Sequence, residues 1–142
     1  MERERPTKIL LLTHGGWGMS LVEGIQMILG PMSYVHEIPL LPTDTLSEYM
    51  DKVQAYVSSI SLDSLIIVDL MGGTPSNVAA VIGNQTGMKV FTGLNAPMLL
   101  EACVELQGDG TLDSDAVLSA GQSACVDLLS AIRDNMTEQE GR

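Results

Sequence analysis

The segment 65-LIIVDLMGGTPSNVAAVIG-83 sets an unbroken apolar run ahead of an aspartate, two adjacent glycines and a threonine–proline step. A strand with one wet face would alternate polar and apolar residues. Leu65 to Val68 do not alternate, as expected of a strand in a parallel sheet covered by helices on both faces. Thr74 can cap a helix and Pro75 can take its first position, so a helix is expected about five residues after the strand closes at Asp69.

The same grammar appears upstream in 8-KILLLTHGGWGMS-20, where a strand over Lys8 to Thr13 runs into His14 and the glycines Gly15, Gly16 and Gly18. From Ser20 to Leu29 the period switches, with Leu21, Val22, Ile25, Ile28 and Leu29 on one helical face, until Gly30-Pro31 stops the helix. Tyr34 to Leu41 reads as a second strand broken by Pro42. Thr45 and Glu48 have capping-box spacing ahead of the stripe Leu46, Tyr49, Met50, Val53, Tyr56, Val57 and Ile60. Met88 to Leu94 gives a fourth strand, Pro97 to Leu106 a helix, QGDGTLDSD a turn, Ala116 to Arg133 a last helix, and MTEQEGR a frayed end. Strand and helix alternate with short connections. The fold expected is therefore α/β, a doubly wound, mainly parallel sheet of about four strands with helices on both faces; a fifth, antiparallel strand could sit at its edge. One domain spanning 1–142 suffices, with a core over about 8–134 and tails at 1–7 and 135–142.

Composition narrows the function. With 18 acidic against 7 basic residues the net charge is −11, which argues against nucleic acid and anionic membranes and favours a basic protein partner. Only 4% of residues are aromatic, so stacking platforms for bases or sugar rings are scarce. Cys103 and Cys125 stand outside any CxxC pairing, in stretches that read as helical, and are expected to be reduced core thiols of a cytosolic protein. The apolar runs fall far short of a membrane span of roughly 20 residues, and the start MERERPTK shows no cleavage pattern, so the expectation is a soluble, cytoplasmic protein.

In open α/β sheets ligands sit beyond the carboxyl ends of the strands, where strand order reverses. If the second and third strands flank the first, His14 and Asp69 become neighbours there. A carboxylate accepting the N–H of one ring nitrogen fixes the tautomer and leaves the other nitrogen as a nucleophile, which favours Nε2 with Asp69 on Nδ1. Gly15, Gly16, Gly18, Gly72 and Gly73 would let backbone N–H groups approach a phosphoryl group, and helices beginning near Met19 and Pro75 would aim their positive ends at it. No metal or other cofactor is required. Bland readings remain for other residues: His36 as a solvent-facing strand residue, the nine methionines as filler, Asp109, Asp113 and Asp115 as a solvated loop. Trp17 is open between a lid over the site and half-buried packing.

THG after the first strand, VDLMGGTPSNVAA around the third and the later GLNAPMLLEA occur in an order that resembles the mannose-type enzyme IIA proteins of the bacterial phosphoenolpyruvate-dependent sugar phosphotransferase system. The resemblance implies a phosphotransferase component that takes a phosphoryl group from the histidine-containing phosphocarrier protein onto His14. The group would then pass to a separate IIB component, with the membrane IIC and IID components involved only indirectly. It also implies Asp69 as the carboxylate bonded to the active histidine, Thr74 as a phosphate contact, and a homodimer. Leu70-Met71 stand where some members have Thr-Trp, a difference that bears on partner preference. Alternatives are the related carrier of a dihydroxyacetone kinase system, a receiver domain, which would need an acidic pair where THGG stands, and a nucleotide-binding module, for which no GxGxxG follows the first strand.

Overall fold

A computed structural model describes residues 4–140. Strands β1 (Ile9–His14), β2 (Val35–Leu40), β3 (Leu65–Val68) and β4 (Lys89–Phe91) alternate with helices α1 (Gly18–Leu29), α2 (Leu46–Val57), α3 (Thr74–Thr86) and α4 (Ala96–Gly108). Helices α5 (Ser114–Ser123) and α6 (Leu128–Glu140) follow. The strands form one parallel sheet in the order β2-β1-β3-β4. The chain thus leaves β1 towards one edge and returns past it to β3, so the reversal point lies between β1 and β3.

The unbroken apolar runs have a direct cause. Successive strand side chains point to opposite faces. Ile9, Leu11, Leu65 and Ile67 pack with Val22 and Ile25 of α1 and Leu99 of α4, whereas Leu10, Leu12, Ile66 and Val68 pack with Tyr49 and Val53 of α2 and Val78 and Ile82 of α3. All eight strand residues are at most 1% exposed. Burial on this scale contributes roughly 1.5–3 kcal/mol per large aliphatic side chain, and it requires apolar residues at every strand position rather than every second one.

Several boundaries differ from the sequence reading. Thr74 does not cap α3: it is the helix's first residue, and Gly73 stands at the cap position with φ 86°, so no side chain caps this helix. Thr45 does cap α2, its Oγ1 accepting the Glu48 N–H at 3.1 Å. The single last helix is instead two, because Ala124 to Asp127 leave the helix and Asp127 restarts it by accepting the Ser130 N–H at 3.0 Å. The tail expected from 135 onward is helical through Glu140; Gly141 and Arg142 lie outside the described residues, as do residues 1–3 of the other tail. Pro6, also assigned to a tail, is tied to the body by the Ser61 N–H at 2.9 Å. No fifth strand occurs among the described residues, since Leu128, Leu129, Ile132 and Met136 recur at helical spacing rather than alternating. Cys103 is buried in α4 as expected, but Cys125 is exposed in the break between α5 and α6 and is not a core thiol. Among the described residues no helix is long and apolar enough to cross a membrane.

Candidate functional site

His14 ends β1 and Asp69 follows β3, so the two meet at the reversal point. The Nδ1 of His14 lies 3.0 Å from Oδ2 and 3.2 Å from Oδ1 of Asp69. An ionised carboxylate only accepts hydrogen bonds, so Nδ1 carries a proton, and in the neutral ring the lone pair is on Nε2. The His14 side chain is 45% exposed while that of Asp69 is 2% exposed: the carboxylate is sunk beneath a ring that reaches solvent.

Asp69 is heavily solvated by protein. The His14 backbone N–H at 2.8 Å and the Trp17 indole N–H at 3.1 Å also donate to Oδ2, and the Leu70 N–H donates to Oδ1 at 2.8 Å. Burial alone would raise its pKa, but the hydrogen bonds from the His14 backbone, the His14 ring and Trp17 outweigh it and hold the carboxyl below the ordinary aspartate value.

Above the ring lies Gly73. A Cβ built there would sit 3.6 Å from His14 Nε2, and the backbone at φ 86° is strained for any other L residue. The start of α3 therefore lies directly against the open nitrogen. With no side chain capping it, the N–H groups of its first turn remain without an internal partner. Thr74 and Gly72 flank this point in the chain. Gly15 differs from expectation, because its N–H is already used, donating to the Leu40 carbonyl at 2.9 Å and prolonging the β1–β2 ladder. A Cβ built on Gly16 would meet Pro39 and the Glu37 carboxylate.

The second helix start does not serve as expected. Glu37, from β2, accepts the Gly18 N–H at 2.7 Å and the Met19 N–H at 3.1 Å, and also bonds the Thr13 hydroxyl. A carboxylate thus already occupies the positive end of α1, and that end is closed to an anion. Gly18 is required by this contact, since a Cβ there would fall 2.3 Å from Glu37 Oε2. The sequence reading missed Glu37; its partners are 18 to 24 residues away, and no local pattern announces them. His36 lies exposed on its strand, stacked on Tyr56 with ring centroids 4.1 Å apart, and takes no part.

Fold and site together define a doubly wound α/β protein built around one carboxylate-oriented histidine at the turning point of its sheet. The family described as "PTS system fructose IIA component" (EIIA-man) matches residues 8–116, and the chain belongs to this mannose-type enzyme IIA family of the sugar phosphotransferase system. Among relatives, the sorbose-specific EIIA component of Lacticaseibacillus casei is 33% identical over 99 residues, covering 68% of this chain and 72% of that protein. The mannose-specific EIIAB component of Escherichia coli K12 is 27% identical over 114 residues, covering 78% of this chain but 35% of that longer protein. Of solved structures, phosphotransferase system component EIIA from Streptococcus agalactiae superposes with a TM-score of 0.77 at 26% identity, covering 87% of this chain and 98% of that one. The mannose/sorbose-specific IIA subunit from Enterococcus faecalis gives a TM-score of 0.75 at 28% identity, covering 86% and 94%.

Proposed function

We propose that the protein is a phosphoryl carrier that receives its group from the histidine-containing phosphocarrier protein on Nε2 of His14 and delivers it to a IIB component during sugar uptake. The contact between Asp69 and Nδ1 carries this reading, because it turns a solvent-reaching imidazole into an oriented nucleophile in a chain of this family. In the transfer the Nε2 lone pair forms a bond to phosphorus as the donor's N–P bond breaks, its electron pair returning to the donor ring. One phosphoramidate replaces another, so little free energy changes hands. As His14 acquires positive character, Asp69 offsets it, while Gly72, Gly73 and Thr74 at the start of α3 offer donors to the phosphoryl oxygens. The net charge of −11 would steer a basic donor to the surface, a rate effect that salt weakens.

The test is labelling. Purified protein given phosphoenolpyruvate, enzyme I and the phosphocarrier should gain one phosphate per chain that is lost in acid and retained in alkali. A label removed by hydroxylamine would be an acyl phosphate and would overturn the assignment.

The same reading includes a homodimer, supported by the stripe Leu128, Leu129, Ile132 and Met136, which is 45–67% exposed along α6. Light scattering should return about twice the chain mass of 15.2 kDa, and Ile132→Asp should halve it. A wild-type chain that stays monomeric at tens of micromolar would remove the dimer from the proposal.

A further inference from the structure

Trp17, the only tryptophan of the chain, stands at the cap position of α1 with φ −70° and ψ −13° and makes no side-chain cap. The capping is supplied from outside by Glu37, which takes the Gly18 and Met19 N–H groups. That leaves the indole free to turn back across the glycine loop and place its Nε1 3.1 Å from Oδ2 of Asp69, although the residue as a whole is 43% exposed. The indole stays half-exposed, yet its one polar atom is directed at a carboxylate whose side chain is 2% exposed.

The oxygen it reaches is the one that holds the histidine. Oδ2 receives the His14 backbone N–H at 2.8 Å, the ring Nδ1–H at 3.0 Å and the indole N–H at 3.1 Å. An indole N–H is a permanent donor that can neither titrate nor accept, so together with the His14 and Leu70 backbone N–H groups it restrains the carboxylate's rotation without competing for the ring's proton. Without it, the His14 and Leu70 backbone N–H groups still hold the carboxylate, but Oδ2 loses one of its three donors and the carboxylate can tilt further, taking the imidazole with it.

We propose that Trp17 is a positioning residue: through Asp69 it fixes the plane and tautomer of the His14 ring, and so the rate at which Nε2 exchanges its phosphoryl group. The ring's orientation follows from the geometry alone; the effect on rate rests on the phosphoryl-carrier reading.

Trp17→Phe keeps an aromatic ring and removes only the N–H. In ¹⁵N-labelled protein the His14 Nδ1–H signal should exchange with water roughly tenfold faster in Trp17→Phe, as expected for loss of one charge-assisted constraint on its acceptor. In single-turnover transfer from the phosphorylated phosphocarrier, the maximal rate should fall about tenfold with the half-saturating donor concentration unchanged. In the wild-type frame, Asp69→Asn should move the indole N–H resonance, which a solvent-facing indole would not show. An unchanged His14 Nδ1–H signal, or a rate loss expressed wholly in the half-saturating concentration, would overturn the proposal, the latter making Trp17 a docking residue. If the wild-type chain takes no phosphate at all, the carrier reading fails, while the two resonance measurements still decide the positioning role.

Discussion

His14→Ala is expected to abolish phosphoryl uptake, to below roughly a thousandth of the wild-type rate, because no other group in the crevice combines a free lone pair with an orienting carboxylate. The fold should survive. The ring is 45% exposed, and Asp69 keeps the His14 backbone, Trp17 and Leu70 N–H groups when the ring is gone. The stability change should therefore stay within about 1 kcal/mol, measured by denaturant unfolding. His36→Ala is the matching control: it removes a stack on Tyr56 on the outside of β2 and should label at the wild-type rate. Full labelling of His14→Ala would falsify the assignment of the nucleophile.

Asp69→Asn should slow transfer by roughly a hundredfold or more while leaving partner affinity intact, as the loss of an orienting carboxylate does in other histidine-centred sites. The amide retains the shape of the side chain, but its NH₂ can donate to Nδ1, which would move the ring proton to Nε2 and remove the attacking lone pair. Stability should change with pH as well. The Asp69 carboxyl is held below its ordinary value, so the folded state binds its proton less readily than the unfolded chain. Its contribution is complete above the ordinary aspartate value of about 3.9 and is lost as the pH falls through the lowered folded value. In acid titrations of unfolding free energy the wild type should decline more steeply below about pH 4 than Asp69→Asn. Parallel curves, or wild-type transfer rates in Asp69→Asn, would contradict the role given to this carboxylate.

Most of the architecture was legible because its causes are local or periodic. The runs Leu65–Val68 and Ile9–Leu12 announce strands covered on both faces, and the stripe of α2 announces its buried side. The His14–Asp69 pair was legible for a different reason: a doubly wound order forces the ends of β1 and β3 together, whatever their distance in sequence. What escaped was non-local or conformational. Glu37 sits in a strand where the adjacent His36 and Glu37 put one polar residue on each face, and nothing nearby shows that it caps a helix 18 residues upstream. Thr74 carried the right side chain for a cap, yet the left-handed backbone at Gly73 took that place. The split between α5 and α6 did leave a signal, since Asp127 stands just ahead of the Leu128, Leu129, Ile132 spacing, but no glycine or proline marks the break.

A strand greasy on both sides poses a problem that hydrophobicity cannot solve. Sliding β1 by one residue would exchange Ile9 and Leu11 for Leu10 and Leu12, and either face would still be oily. Polar fastenings at the two ends distinguish the alternatives: the Lys8 N–H on Ser64 Oγ at one end, and at the other Thr13 on Glu37 and the His14 N–H on Asp69. The bonds that aim the imidazole thus also index the central strand against its neighbours, so a chain that misaligned this strand would lose its chemistry and its alignment mark together.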